Sequence, residues 1–523
     1  MYFGGFKMSE EMTVETAKRI MDEAIDLSAE LLETKPAVVE IVLKQLLSID
    51  PEHSSGLQIL GLAKHRLGKN TEAVEIFQTA LELDPYNADN YNNIGLAYGG
   101  LGNTERALGS IKKAIELEPE KYLFLNNLAL QHRMAGDHKS AVAALEKAVE
   151  ICPTSSQMWT NLGGIYGEMK QIRRSLECFN KAIEADPVYA AAHVDLAFAH
   201  HLLGEWEDGF DSYEWRFNYF DQMKFYKAAY DQAKRWNGID SLKDKTILIY
   251  AEQGLGDCIQ FLRFIPKLKA KGANIIVHCP LGLDGIVRRI PGVDGTSNRD
   301  IVNNTGEEFP PYDYQCAMMS LPHLLRFYDF SGKPYIKPVT ENFKAFVDKE
   351  YGEGLKVGLV WAGSPAHPHD QRRSIPLKHF RPIHNTEGLK LFSLQFDTRP
   401  RKYGFDMRPG SEGKIVDYSE GCEGMKLVDL TTMIQSMEDT ATILAGLDLV
   451  IACDTAVVHL AGAMGVPCWL LLPFNPDWRW GIDGNTTVWY DSVKIFRQDE
   501  KNDWAGVVEK VQKELHETLL QNK

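Results

Sequence analysis

The sequence predicts an α-helical solenoid followed by an α/β region of two doubly wound lobes. Three observations carry that expectation. Pro51, Pro85, Pro119, Pro153 and Pro187 stand 34 residues apart in an unbroken series. After Trp236 the pattern changes to short β-branched apolar runs alternating with helical segments. Two such alternating stretches follow one another, opening at KTILIY (245–250) and at KVGLVWAGSP (356–365).

Composition sets the outer bounds. At roughly 150 residues per domain, 523 residues amount to about three or four domains. Apolar residues make up 44% and charged residues 25%, as in ordinary globular protein. Acidic residues number 72 against 57 basic ones, a formal charge of −15. That balance argues against nucleic acid as a partner, although a local basic pocket stays open. The apolar run 460–474 is broken by Pro467 and Pro473, so no membrane span is expected. The opening MYFGGFKMSEEM turns acidic early and does not read as a secretory signal. Eight scattered cysteines without a Cys-x-x-Cys pair fit a reducing cytoplasm.

In the first half each repeat proline closes a helix: LLSIDP, LELDP, IELEP, VEICP, IEADP. Gly61, Gly95, Ala129, Gly163 and Ala197 form one column of small residues, and Ala80, Ala114, Ala148 and Ala182 another. Small residues let two antiparallel helices approach, bulky ones fill the gap to the next pair, and proline stops the second helix. A 34-residue period with phased columns resembles the tetratricopeptide repeat family over 37–220, with degenerate end units. The resemblance implies a groove that takes a protein or peptide partner; scaffolding or self-association is the plainer alternative. Asn92, Asn93, Asn126, Asn127 and Asn161 recur on the first helices of successive units. They read equally as peptide-backbone binders or as capping and solvated positions.

In the second half, KTILIY is a strand followed by a glycine-rich turn, CIQFLRFIPKLKAKG a helix and NIIVHCP the next strand. KVGLVW, KLFSLQ, IVDYS or KLVDL, LDLVIACD and CWLLLP supply further strands, with a join near 341–354. Such an order implies parallel sheets, and ligands in open parallel sheets bind beyond the carboxyl ends of the strands.

Three motifs stand at those ends. The first is Gln253-Gly254-Leu255-Gly256-Asp257. Its glycines permit a tight turn and close ligand approach, but Ile259 stands where a dinucleotide fingerprint needs glycine, and no P-loop is present. Asp257 suits a helix N-cap as well as a functional carboxylate. The second is Trp361-Ala362-Gly363-Ser364-Pro365 with Arg372, Arg373 and Ser374 beyond it. Neighbouring arginines suit a diphosphate. His367 and His369 lack a third ligand nearby, so no metal is expected. The third is Asp454-Thr455-Ala456, with His459 about one turn later. A helix N-terminus there would bind phosphate, while His459 suits a core position equally well. Trp478, Trp480 and Trp489 read first as core and second as ring-stacking groups.

GLGD, WAGSP with RRSIP, SLQ and DTAVVHLAGAMGVP together make 242–515 resemble the bacterial heptosyltransferases, whose GT-B fold pairs two Rossmann-like lobes. The whole chain resembles bacterial proteins that join tetratricopeptide repeats to such a module, some of which modify flagellin or other proteins. The O-linked N-acetylglucosamine transferases are a more distant parallel. The resemblance implies a repeat region with an N-terminal helical cap over 1–230, an acceptor-side lobe over 236–345 and a nucleotide-sugar-side lobe over 353–523. It implies Asp257 as catalytic base. Asp454, Thr455 and His459 match the segment that holds the nucleotide and its phosphates, with Ala456 in place of the family's glycine. Arg372 or Arg373 matches its phosphate-contacting base. Gln253, Gly254, Gly256, Gly363, Ser364 and Gln395 complete the expected nucleotide-sugar site.

The expected activity is metal-independent, inverting sugar transfer from a nucleotide sugar to a protein Ser/Thr hydroxyl, with the donor as substrate and no separate cofactor. No Asp-x-Asp pair occurs in the chain. The alternatives are an inactive repeat scaffold and a heptosyltransferase of surface glycan. ADP-, UDP-, GDP- and CMP-linked donors stay open, as does the oligomeric state.

Overall fold

The computed structural model describes residues 14–220, 231–299, 310–337, 342–365, 367, 369–395, 415–417, 422 and 424–521. The chain divides into two compact units, Met1–Ala192 and His193–Lys523.

The first unit is built from helix pairs. Ser54–Arg66 packs on Asn70–Leu83, Ala88–Gly100 on Thr104–Leu117, Tyr122–Met134 on His138–Ile151, and Ser156–Glu168 on Ile172–Ala185. From the second repeat proline onward, each one stands two residues beyond its helix, as Pro85 does after Leu83. The small-residue column works by close approach. A Cβ at Gly61 would fall 2.5 Å from the Phe77 ring, and one at Gly163 would fall 2.5 Å from Phe179. The turn inside each pair needs the left-handed region: Gly68, Gly102 and Gly136 have φ of 73°, 73° and 79°, and Lys170 holds the same place at 58°. The recurring asparagines bond across successive units. Asn127 Nδ2 donates to Asn92 Oδ1 at 2.9 Å, and Asn161 Nδ2 to Asn126 Oδ1 at 2.7 Å. They are neither helix caps nor fully solvated.

The second unit holds two sheets. The strands β1 (Thr246–Tyr250), β2 (Asn274–Pro280), β3 (Gly295–Arg299) and β4 (Tyr314–Ala317) pair in parallel in the order β3-β2-β1-β4. The second sheet contains β5 (Leu355–Val360), β6 (Leu389–Ser393), β7 (Ile415–Asp417), β8 (Lys426–Asp429), β9 (Leu449–Cys453), β10 (Cys468–Leu472) and β11 (Val493–Arg497). Its order is β11-β10-β9-β5-β6-β8-β7, and only β7 runs antiparallel among these described strands.

Alternation along β9 builds two cores. Val450 and Ala452 join one buried cluster, while Leu449, Ile451 and Cys453 join the other. The first cluster continues to Ile247 and Ile249 of β1, so one apolar core serves both sheets.

Two expectations need adjustment. The segment CIQFLRFIPKLKAKG is not one helix. It runs as Leu255–Phe261, a 3-10 turn Leu262–Phe264 and a short helix Ile265–Lys269 with Pro266 in its first turn. Proline there has no N–H for a continuous ladder. Both IVD and KLVD are strands, and Tyr418 and Ser419 lie outside the described residues. The two compact units meet at 192/193. The helices Trp206–Tyr213 and Arg216–Tyr219 pack with the α/β part. Among the described residues no helix is long and apolar enough to cross a membrane.

Candidate functional site

Each sheet has a switch point where neighbouring strands leave in opposite directions. In the first it is β1, flanked by β2 and β4; in the second it lies between β5 and β9. Crevices beyond such strand ends are the ligand sites of open parallel sheets. The three sequence motifs sit there: 251–257 follows β1, 361–365 follows β5, and 454–459 follows β9.

Beyond β1, Gly254 caps the helix Leu255–Phe261. Its N–H donates to Asp257 Oδ2 at 2.9 Å. The N-cap is thus Gly254 and not Asp257, which stands at the third helical position and reaches back to the cap with only one carboxylate oxygen. Asp257 Oδ1 accepts from Arg479 Nη2 in an ion pair. Gln253 turns its amide to Tyr213, with Nε2 donating to Oη at 2.6 Å. Gly256 serves packing: a Cβ there would fall 2.8 Å from His459 Cδ2, so glycine lets this helix meet the helix Ala456–Met464.

Beyond β5 the turn is braced from within. Gln395 Oε1 accepts from Trp361 N at 3.0 Å and Ala362 N at 2.8 Å, while its Nε2 donates to Ala362 O at 3.0 Å. Gln395 is buried. Its amide holds the strand end. Gly363 N donates to Ser374 Oγ, and Ser374 Oγ to Asp370 Oδ1. A Cβ at Gly363 would fall 2.5 Å from Arg373 Nη2, so the guanidinium lies flat on this glycine. Arg373 Nη1 donates to Asp454 O at 2.9 Å. Arg372 and Ser364 are exposed. The two arginines are placed differently: one is built into the turns and the other faces solvent. The rings of His367 and His369 have centroids 6.0 Å apart, and among the described residues no third Asp, Glu, His or Cys is placed to complete a metal site.

Beyond β9, Asp454 and Thr455 lead into the helix Ala456–Met464, which Thr455 enters as N-cap residue. Thr455 Oγ1 is buried and hydrogen-bonds to nothing among the described residues. A buried hydroxyl without a partner is costly. Burial raises the Asp454 carboxyl to about 6, and the Asp477 charge adds to this, while Arg373 and Arg479 oppose it. His459 is a core residue. Its Nδ1 lies 3.0 Å from Tyr490 Oη and its ring stacks on Trp480. Burial, and the Arg479 and Arg263 charges, hold it well below the ordinary histidine range, so it is neutral.

Arg479 is the residue sequence reasoning missed. It follows β10 and is buried between the two sheets' strand ends. Nε donates to Gln260 Oε1 at 2.9 Å and Nη1 to Asp477 Oδ1 at 2.7 Å, in addition to the Asp257 pair. Burial works against its charge, and Asp257 and Asp477 outweigh that, holding the guanidinium above its usual range. The signal was available in Pro476-Asp477-Trp478-Arg479-Trp480, an arginine flanked by tryptophans. Trp478, Trp480 and Trp489 are buried and act as packing.

Comparison with known proteins bears on the first unit. Residues 61–102 match a model described as TPR repeat, and 92–156 and 156–189 match models described as tetratricopeptide repeat. Protein FlbA of Caulobacter vibrioides is 27% identical over 338 residues, covering 59% of this chain and 52% of its own length. The chain thus spans about half of that relative. The matched share exceeds the first unit, so the similarity extends into the second. Among solved structures, the thermophilic TPR protein TTC0263 of Thermus thermophilus is 21% identical, with a TM-score of 0.32 over 34% of this chain and 98% of its own. Pseudomonas aeruginosa pilF is 16% identical, with a TM-score of 0.33 over 41% and 99%. The N-terminal region, to about residue 190, is an array of tetratricopeptide repeats.

Proposed function

We propose that the chain is a nucleotide-sugar-dependent, inverting glycosyltransferase of GT-B type, and that its repeats recruit a protein acceptor. The observation that carries this reading is the Asp257–Arg479 pair. It joins a carboxylate beyond the switch-point strand of one parallel sheet to a cation beyond β10 of the other. Arg479 also acts electrostatically on Asp454, and Arg373 bonds the Asp454 carbonyl. One carboxylate, two arginines and a helix N-terminus with an unpartnered hydroxyl are what transfer from a diphosphate-linked sugar requires.

In the proposed reaction Asp257 takes the proton of an acceptor Ser/Thr hydroxyl as its oxygen attacks the anomeric carbon. The bond from that carbon to the donor phosphate breaks on the opposite face, which inverts the centre. The nucleoside diphosphate leaves with the electron pair. Arg373 and the first N–H groups of the helix Ala456–Met464 stabilise the growing charge. Each Asp257 oxygen already accepts one hydrogen bond and keeps a second lone pair for the proton. Arg372, on the exposed side, is assigned no step.

The ion pair that Asp257 makes with Arg479 favours a second reading, a repeat-bearing binding module that holds a nucleotide sugar without transferring it. One experiment separates the two. The full-length chain is screened by thermal shift against ADP, UDP, GDP and CMP, since a ligand of the native state raises its melting point. Cellular proteins with and without the chain are then compared by mass spectrometry for added sugar. Asp257→Asn keeps an oxygen for Gly254 N and removes the base. Transfer lost with nucleotide binding retained supports the transferase. Binding without any transfer by the natural chain supports the binding module, and neither binding nor transfer ends both readings.

A further inference from the structure

We propose that Tyr213 and Arg216, on the helical segment that follows the repeats, are positioning residues that fix the turn carrying Asp257. The proposal rests on the reading of Asp257 as the base.

Arg216 is wholly buried. All five of its side-chain N–H groups are used. Nε donates to Glu252 Oε2 at 3.1 Å, and Nη2 donates to Glu252 Oε1 at 2.9 Å and Ser320 Oγ at 2.8 Å. Nη1 donates to Tyr213 O at 3.1 Å and Glu214 Oε1 at 2.7 Å. Glu252 is buried too, and its Oε1 accepts a further bond from Met319 N at 3.0 Å. An ion pair so deeply buried is a poor stability device, because apolar residues of similar volume often serve as well. What a forked pair adds is direction: two parallel bonds hold the carboxylate plane in one orientation.

That orientation is imposed where the chemistry begins. Glu252 lies two residues past β1, and Ala251 before it is tied by its N–H to His278 O at 2.9 Å. Gln253 is held through its amide by Tyr213 Oη. Gly254 then donates to Asp257. Residues 251–254 are therefore bonded one after another, and the last bond ends on the proposed base. Two of the four anchors come from consecutive short helices, Tyr213 from the end of Trp206–Tyr213 and Arg216 from the start of Arg216–Tyr219. A Tyr213 without its hydroxyl would release the Gln253 amide, and an Arg216 without its fork would leave Glu252 held only by Met319 N. Displacements of this size at a reacting group are enough to slow a reaction strongly.

The test uses the full-length chain with Tyr213→Phe and Arg216→Lys, of which the first removes one oxygen and leaves the core packing alone. Amide hydrogen exchange is measured without ligand. Turnover is measured with UDP-, ADP-, GDP- and CMP-linked sugars. We expect exchange at residues 254–257 to quicken about tenfold in Tyr213→Phe, with the β1 amides unchanged. We expect kcat to fall about tenfold with the donor KM within about twofold, as for loss of an interaction felt in the transition state. Unchanged exchange at 254–257 in both variants overturns the proposal, and so does equal quickening throughout β1. If the natural chain turns over none of the donors, the transferase reading falls, and the exchange data still decide whether the turn is held by these residues.

Discussion

Asp257 and Arg479 are 222 residues apart in the chain and form an ion pair between the turn after β1 and the segment after β10. Arg479 is nearly buried and Asp257 is 20% exposed at its side chain. Removing either partner alone leaves the other charge in a poor environment. Arg479→Met and Asp257→Asn should each destabilise the second unit by about 3 kcal/mol, the low end for a buried pair. The double variant should be less unstable than the sum by about 1 kcal/mol or more. Tryptophan fluorescence during urea unfolding reports this unit, since Trp159 is the one tryptophan in the first. Strict additivity would show that the two residues do not interact.

Asp454 gives a pH signature. Its carboxyl is raised from 3.8 to about 6, mainly by burial. The native state therefore keeps this proton when the unfolded chain has lost it, and stability declines as pH rises through that window. Asp454→Asn lacks the penalty. Its melting temperature should gain on the natural chain between about pH 4 and pH 6 and stay level above. A constant difference across the range would rule out this titration.

His201 should behave with the opposite sign. It lies buried among Trp206, Phe210, Tyr213 and Trp478, and neither ring nitrogen has a partner among the described residues. Burial, with the Arg479 and His200 charges, holds it well below the ordinary 6.5. The unfolded chain takes up a proton below 6.5 and the native state does not, so stability is lost as pH falls. His201→Leu should stabilise by about 1 kcal/mol or more at neutral pH, by removing two unsatisfied polar atoms. Its advantage should widen at about pH 5.5. A variant that melts lower at both pH values would refute the assignment.

What the sequence made legible was whatever leaves a period or a strong local mark. The prolines at 34-residue spacing follow directly from helix-pair geometry, and the apolar runs of β1, β2, β5, β9 and β10 have no competing helical reading. The strand GTSNR is polar and the strand YQCA has only four residues, so neither carries a pattern that separates it from loop. The candidate site divides in the same way. Asp257, Arg373, Asp454 and Thr455 stand at strand ends that a pattern reveals. Arg479, Tyr213 and Arg216 matter through contacts made by tertiary folding; the flanking tryptophans mark Arg479 only faintly, and no local motif marks the other two. Gln395 is expected at the site through the SLQ of the heptosyltransferase resemblance, but the bonds of its amide to the backbone of 361–362 follow from folding and leave no mark in the sequence.

The two arginines after the Gly363 turn should separate in a binding assay. Arg373 lies against Gly363, where a methyl group has no room. Gly363→Ala should therefore act as Arg373→Ala does, each weakening nucleoside diphosphate binding about tenfold, the scale of a lost charge-assisted contact. Arg372→Ala should stay within about twofold, as expected for an exposed charge. Isothermal titration with the diphosphate selected by thermal shift decides it. A larger loss from Arg372→Ala than from Arg373→Ala would reverse the assignment.

Where the chain can be cut follows from the contacts of 193–219. By the repeat period these residues continue the helical array, and a truncation designed from the period would remove 1–220. Such a cut takes away Arg216 and leaves Glu252 buried and unpaired beneath the first-sheet turn. It also takes away Phe210 and Tyr213, which are buried in the core shared by both sheets. An unpaired buried carboxylate alone costs about 3 to 5 kcal/mol, and each lost core aromatic adds a comparable amount. A typical domain has a margin of about 5 to 15 kcal/mol. A chain beginning at 221 should therefore fail to fold, whereas one beginning at 193 should unfold cooperatively and keep any nucleotide binding of the full-length protein. Circular dichroism melting of the two truncations checks this. If the shorter chain melts as cooperatively and at the same temperature as the longer, the segment 193–219 is dispensable to the α/β unit and the boundary belongs after it.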